Sequence, residues 1–307
     1  MANFPFATIE PNVGIVPVPD ERLERLAEVI SMDSGSGSGM TGKRPPIVPA
    51  TVEFVDIAGL IEGAHKGEGL GSKFLHHIRE VDAICYVLRA FGDENIVREG
   101  SKNPKEDLEI LKTELDLADL ESEARRESKK SKITEELPFF KNKPVLAVLN
   151  VDEGDLKNTD KIESEFAKQA SLKKEQVIAI CAKLEEELAA LQSSEAVVYL
   201  NEVGIEKIGL ERLIQKAYST LDLISFLTAG EKEVRAWTLR LGSTSLTAAG
   251  QIHTDFMKHF IKADVCDFND FVESGGWKKC REKGKVRSEG RDYIVRDGDV
   301  IEFKIGQ

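Results

Sequence analysis

The stretch from Ala50 to Ser72, which reads ATVEFVDIAGLIEGAHKGEGLGS, constrains the fold of this chain more than any other. It opens with an apolar, β-branched run that is typical of a buried strand. The run ends near Asp56 and Gly59, and the loop that follows contains Gly63, Gly67, Gly69 and Gly71. A carboxylate at a strand end beside a glycine-rich loop is typical of phosphate-binding switch regions. Because a strand that runs into a glycine-rich turn shows the same pattern, the other motifs must decide between the two.

Composition narrows the class of protein. The net charge of −12 argues against wholesale coating of nucleic acid, although it leaves room for a local basic face. No apolar run approaches the roughly 20 residues of a membrane span, and no signal peptide opens the chain. The four cysteines lack C-x-x-C spacing, which favours reduced thiols over a zinc site or disulfides. We therefore expect a cytoplasmic protein with no membrane partner.

The order of predicted elements indicates the fold class. Strand-like runs at 83–90, 144–151 and 177–180 alternate with helical patterns at 73–80, 107–120 and 210–221. This alternation predicts an α/β fold with a doubly wound sheet, which binds ligands at the carboxyl ends of its strands. Asp56, Asn150 and Ala182 all fall at such ends.

Two features upstream allow more than one interpretation. Residues 37–43 fit the phosphate-loop pattern G-x-x-x-x-G-K, but they follow a predicted helix, Arg44 stands where Mg²⁺ needs Ser or Thr, and two prolines follow. A flexible insert is the expected identity of this segment. Thr8 is either a loop hydroxyl or a switch threonine that ligates Mg²⁺.

The pattern of predicted strands and helices changes from about residue 223. Strand-like runs at 234–239 and 293–305, with a helical stretch at 255–260, predict a small separate α+β domain. Its basic residues form either a surface for nucleic acid or a solvated charged face, and the sequence leaves both open. These residues include Lys278, Lys279, Arg281, Lys283, Lys285, Arg287 and Arg291.

Several segments together carry a family resemblance. NFPFATIEPN, DIAGLIEGAHKGEGLG, NVDE, LTAGEKEVRAWT and GRDYIVRDGDVIEF resemble the Obg-like ATPases, the YchF family of translation-factor-related P-loop NTPases. The resemblance implies a nucleotide-binding G domain over residues 1–222, with a helical insertion shortened to about 121–143. It also implies a ubiquitin-like TGS domain over residues 223–307. ATP with Mg²⁺ and the ribosome or its RNA are the implied partners, and DNA is not expected.

The same resemblance implies roles for individual residues. Thr8 and Asp56 would serve Mg²⁺, and Gly59 would contact the γ-phosphate. The family carries N-x-x-E where its relatives carry N-K-x-D, which implies a preference for ATP over GTP. An Asp in the last place would accept from both N–H groups of guanine's edge, and a Glu there alters the base that is read. The implied base-binding residues are Asn150, Val151, Glu153 and Ala182.

The chain also departs from the family pattern. The opening strand and Walker A loop, expected just upstream of Asn3, are missing from the sequence, so we expect weak binding of ATP and unpaired edges on the neighbouring strands. Leu60 replaces the glutamine that positions water in many relatives. Arg98 stands where the family is thought to supply a histidine. An arginine cannot act as a base near pH 7, although it can stabilise transition-state charge.

Two hypotheses follow. In the first, the full-length form binds and slowly hydrolyses ATP as a ribosome-associated switch, with Gly59 and Arg98 as catalytic candidates and a possible GTPase side activity. In the second, the protein is not catalytic and binds ribosome or RNA through its TGS domain, with a passive G-domain remnant. Whether this chain is itself an enzyme is left open by its sequence.

Overall fold

A computed structural model gives the fold of the chain. It describes residues 12–34, 44–57, 70–92, 103–128, 138–191, 195, 199–200, 205 and 208–306. The chain divides into two compact units, one of Met1–Gly14 with Glu53–Leu221, the other of Ile15–Val52 with Asp222–Gln307. Within the described ranges, every helix is too short or too polar to cross a membrane.

A parallel sheet forms the centre of the first unit. Its strands are β4 (Ile84–Arg89), β5 (Val145–Asn150) and β6 (Val177–Ile180), in that order. The four inner residues of β5 are all buried, which requires cover on both faces of the sheet. The predicted doubly wound α/β fold is therefore confirmed.

Helices surround this sheet on both sides. The apolar side chains of β4, β5 and β6 pack against the helices Leu70–Glu80 and Pro104–Ser128, and against Phe140 and Phe166. The helices of this unit are α2 (Leu70–Glu80), α3 (Pro104–Ser128), α4 (Thr159–Gln169), α5 (Ala182–Ala189) and α6 (Gly209–Thr220), with 3-10 helices at Phe140–Asn142, Glu153–Asn158 and Lys174–Gln176. The predicted insertion at 121–143 thus begins as the last turns of α3.

Strand β4 is an edge strand of the sheet within the described ranges. Of the strands in the described ranges, β4 pairs with β5 alone, while β1 (Asn12–Pro17) and β3 (Thr51–Asp56) form a separate two-stranded sheet. Burial alternates along β4, and Val87 is 69% exposed. Within the described ranges, β4 therefore has one edge without a partner strand, and Val87 leaves apolar surface exposed on this strand.

The second unit contains a mixed six-stranded sheet. The strand order is β10-β9-β11-β7-β8-β2, with β7 and β8 an antiparallel hairpin and β11 parallel to β7. The strands are β2 (Ile47–Val48), β7 (Leu223–Ala229), β8 (Val234–Arg240), β9 (Phe260–Cys266), β10 (Arg287–Glu289) and β11 (Val300–Ile305).

Helices cover both faces of the second sheet. They are α1 (Glu21–Ser34), α7 (Ser245–Ile252), α8 (Thr254–Lys258), α9 (Phe268–Ser274) and α10 (Trp277–Glu282). Ile224 and Phe226 of β7 belong to the core that α7 completes. Leu227 is also fully buried, and it faces the opposite side because side chains alternate along a strand.

Helix α1 supplies apolar cover for β7 and β8. It contacts both strands, and its Leu23 and Leu26 are at most 2% exposed. Residues 15–52 accordingly lie in the same unit as residues 222–307, whereas the predicted domains placed them with residues 1–222. Asp20 caps α1 as predicted, since its Oδ1 accepts from the N–H of Arg22 at 3.0 Å.

The structure corrects two predictions in the second unit. The predicted strand at 293–305 is a strand only over β11, because the chain turns at Gly298, whose φ is +82°. The predicted helix at 255–260 is α8, and Phe260 instead begins β9. The turn-forming residues at 297–299 mark the place where the predicted strand should have ended.

A buried carboxylate joins α4, β6 and α6. Glu163 is 2% exposed, and its oxygens accept from the N–H of Ala179 at 3.0 Å, from Lys216 Nζ at 3.1 Å and from Arg212. Removing the carboxylate would take this acceptor from Arg212 and from the N–H of Ala179, and it would leave Lys216 Nζ with only the carbonyl of Val177. We therefore expect Glu163→Ala to lower the free energy of unfolding by about 3–5 kcal/mol.

Urea unfolding followed by far-ultraviolet circular dichroism measures this change. The control is Glu165→Ala on the same helix, which breaks only an exposed pair with Lys161 at 3.9 Å and should cost less than about 0.5 kcal/mol. Equal effects of the two substitutions would contradict the role assigned to Glu163.

Candidate functional site

The register of the parallel sheet brings two predicted site residues together. Asn150 at the end of β5 pairs with Ile180 at the end of β6, and the N–H of Val151 donates to the carbonyl of Ile180 at 2.8 Å. Ala182 follows two residues later and opens α5. The carboxyl ends of β5 and β6 therefore meet at one place, where this architecture binds ligands.

A hydrogen bond between Asn150 and Ala182 defines this place. The side-chain Oδ1 of Asn150 accepts from the backbone N–H of Ala182 at 3.0 Å. Only the oxygen of the amide can accept from an N–H, so the Nδ2 group of Asn150 is the part left to donate to a ligand. The N–H of Ala182 is engaged by the same bond.

Glu153 follows Asn150 by three residues and begins a 3-10 helix. The carboxylate is exposed, and its Oε1 accepts from the hydroxyl of Tyr199 at 3.3 Å. Asn150, Glu153 and Ala182 thus offer an amide donor, a carboxylate acceptor and a helix start at the ends of adjacent strands. This combination suits the edge of a purine base.

Val151 has a different environment. Its side chain is 3% exposed and belongs to the apolar core, and its N–H is bonded to Ile180. The predicted contact of Val151 with base or ribose is therefore left to its carbonyl group. Burial follows from the alternation along β5, since Val151 continues the core side of Leu149.

Helix α5, which begins at Ala182, is anchored through Glu185. The two oxygens of Glu185 accept from the N–H groups of Gly209 at 2.8 Å and Leu210 at 3.1 Å, at the start of α6. Burial raises the pKa of Glu185, and the two N–H donors oppose that rise. A Cβ at Gly209 would lie 2.7 Å from Glu185 Oε1 and 3.0 Å from Ile180 Cγ2, so a side chain there would displace these groups.

Two residues of the site were missed by sequence reasoning. Asp152 Oδ2 accepts from the N–H of Gly92 at 3.1 Å, which joins the segments that follow β5 and β4. Tyr199 contacts Glu153 from 46 residues away. Asp152 could have been found from its place after a strand end, whereas no local signal marks Tyr199.

Of the residues predicted to bind Mg²⁺ or the phosphates, the structure describes only Asp56. Asp56 is exposed at the carboxyl end of β3, and an accessible carboxylate oxygen suits Mg²⁺. Thr8, Gly59 and Arg98, like the segment 37–43, lie outside the described residues. The described residues hold no group of three or more potential metal ligands.

Many of the basic residues of the second unit are paired. Arg281 bonds to Glu302, Lys285 lies 3.1 Å from Asp270, and Arg287 lies 3.5 Å from Asp299. Such pairs reduce the positive potential of this surface, which favours the solvated-face interpretation for these residues. Lys278, Lys279 and Lys283 are exposed.

The bond between Asn150 and Ala182 can be tested directly. In Asn150→Ala the N–H of Ala182 loses its acceptor, so hydrogen exchange of that amide should speed up by about fivefold, as for the loss of one bond of about 1 kcal/mol. Amide-resolved NMR of the Ala182 N–H measures the rate. Asn158→Ala is the control, because Asn158 precedes α4 without capping it. Unchanged exchange in Asn150→Ala would contradict the bond.

Two family comparisons match separate parts of the chain. Residues 1–150 match the family described as 50S ribosome-binding GTPase. Residues 223–306 match the YchF-GTPase C-terminal family, which is described as a protein of unknown function.

Whole-chain relatives extend these matches. The ribosome-binding ATPase YchF of Bacillus subtilis is 40% identical over 99% of this chain and 91% of its own length. The ribosome-binding ATPase YchF of Escherichia coli O157:H7 is 41% identical over 98% of this chain and 91% of its own length. The solved structure of the Schizosaccharomyces pombe YchF GTPase superposes with a TM-score of 0.76 at 32% identity, covering 99% of this chain and 90% of that one. The chain therefore belongs to the YchF family.

Proposed function

We propose that this protein binds ATP with Mg²⁺ and slowly hydrolyses it as a ribosome-associated switch. The observation that carries the proposal is the bond from Ala182 N–H to Asn150 Oδ1 at 3.0 Å, with Glu153 three residues after Asn150. It supports a purine site at the ends of β5 and β6. The names of the relatives, ribosome-binding ATPases, support both the nucleotide and the ribosome.

The chemistry of the site favours adenine over guanine. Both purines present N7 as an acceptor, which suits Asn150 Nδ2. At position 6, guanine presents an oxygen that needs a donor, and the N–H of Ala182 is already engaged. Adenine presents an amino group there, and the carboxylate of Glu153 can accept from it. The preference therefore rests on what each base offers at position 6.

The phosphate end of the proposal rests on sequence and on Asp56. Asp56 would hold Mg²⁺ together with Thr8, and Gly59 would contact the γ-phosphate. When bound, Mg²⁺ would neutralise charge that develops on the phosphates. Arg98, which stays protonated, would stabilise that charge without acting as a base.

The ribosome is the proposed macromolecular partner, in the cytoplasm, with ribosomal RNA as one surface that it could contact. The second hypothesis, binding through residues 223–307 without catalysis, differs in one respect. It makes ribosome binding independent of nucleotide. Nucleotide dependence therefore separates the two.

Nucleotide choice tests the first part of the proposal. Saturation-transfer NMR with competing ATP and GTP, each with Mg²⁺, detects affinities down to the millimolar range. We expect ATP to displace GTP at lower concentration, because guanine O6 finds no free N–H at Ala182. Equal or stronger binding of GTP would refute the adenine assignment.

Ribosome binding tests the second part. Purified 70S ribosomes are pelleted with the protein in the presence of ATP, ADP or no nucleotide. A switch should co-sediment to an extent that differs by about fivefold or more between nucleotide states, which corresponds to a coupling of about 1 kcal/mol. Glu153→Ala, which removes the adenine acceptor, should abolish that difference. Co-sedimentation that is identical in all three conditions would favour the passive alternative.

A further inference from the structure

Tyr199 reaches the candidate base site from a distant part of the chain. Its hydroxyl donates to Glu153 Oε1 at 3.3 Å. Within the described part of the chain, Glu153 Oε2 has no hydrogen-bond partner. One of the two oxygens of the carboxylate is thus engaged, and the other is left for a ligand.

The ring of Tyr199 is held in place by apolar packing. It is half-buried against a cluster of Cys181, Leu184, Leu188 and Leu200, and Leu156 packs against the same cluster. Cys181 and Leu184 flank Ala182, and Leu156 belongs to the 3-10 helix that Glu153 begins. The ring therefore contacts the cluster that joins the two segments of the base site, and packing limits where the hydroxyl can lie.

We propose that Tyr199 is a positioning residue that restricts this site to adenine by engaging one oxygen of Glu153. Guanine presents two neighbouring N–H donors, at N1 and N2, which a carboxylate reads best with both oxygens. Adenine presents its N6 amino group and needs a single acceptor. The Tyr199 bond occupies one acceptor direction of Oε1 and fixes the plane of the carboxylate, so that Oε2 is presented to adenine and the two oxygens are not turned together towards N1 and N2 of guanine.

This inference rests on the proposed nucleotide binding, and it makes a separate prediction. Tyr199→Phe keeps the ring and its packing and removes only the hydroxyl. With the carboxylate free to turn, GTP should gain relative to ATP, and the ratio of their dissociation constants should move towards GTP by about tenfold, the scale of one hydrogen bond to a charged group. Competition of ATP and GTP by saturation-transfer NMR, on the full chain with Mg²⁺, gives the ratio.

Repeating the Tyr199→Phe substitution in a Glu153→Ala variant shows whether Tyr199 acts through Glu153. In Glu153→Ala, the further change Tyr199→Phe should leave the ratio unaltered, because the oxygen that the hydroxyl engages is gone. The control is Tyr86→Phe, which removes the hydroxyl of another tyrosine of the same unit, buried in β4. It should not move the ratio in either background.

Each outcome is decisive. A shift towards GTP that disappears in the Glu153→Ala background supports the positioning role. A purely structural role of Tyr199 would weaken ATP and GTP equally, so an unchanged ratio overturns the inference while the proposed function stands. A shift that persists in Glu153→Ala also overturns it. If the unaltered chain binds neither nucleotide, the proposed function fails, and this inference fails with it.

Discussion

Asn150 and Ile180 are partners in the parallel register of β5 and β6, and the candidate base site depends on that pairing. It brings Ala182 within hydrogen-bond distance of the Asn150 side chain and places Glu153 on the adjoining turn. A slip of one residue would turn Asn150 towards the opposite face of the sheet. The continuous apolar burial of β5 opposes such a slip, since it would disturb both faces at once.

Buried charged groups hold the helices around this sheet. Arg79 of α2 bonds to Asp119 of α3 at 3.1 Å, lies over the ring of Phe140 and donates to the carbonyls of Ala118 and Pro138. These contacts fix both ends of the segment that runs from the end of α3 to β5. The alignment with relatives runs over 346 residues, more than the 307 of this chain, so the relatives carry internal segments that it lacks. A connection anchored at both ends can change in length at little cost to the core.

The second unit draws on two distant parts of the chain. Residues 15–52 supply α1 and β2, and residues 222–307 supply the rest. Leu23 and Leu26 of α1 fill the side of the sheet that α7 leaves uncovered. Arg22 joins the two parts through Asp20 and Asp297, each at 2.8 Å, and a Cβ at Gly298 would lie 2.7 Å from its Nη1. Helix α1 and strand β2 therefore fold with the C-terminal residues.

The sequence by itself determined the fold class and the alternation of β4, β5 and β6 with helices, and its family resemblance proposed Asn150, Glu153 and Ala182 for the candidate base site. Those features are local: burial shows as apolar runs, and Asn150, Glu153 and Ala182 follow strand ends. The tertiary structure alone decided that α1 belongs with the second unit, that Val151 is buried, that the N–H of Ala182 is engaged, and that Tyr199 reaches Glu153. Each of these depends on a contact between residues far apart in the chain or on the exact side of a strand. Local pattern indicates that a helix such as α1 is amphipathic, but it does not indicate which sheet will cover its apolar side, because any apolar surface of suitable shape satisfies the same hydrophobic requirement.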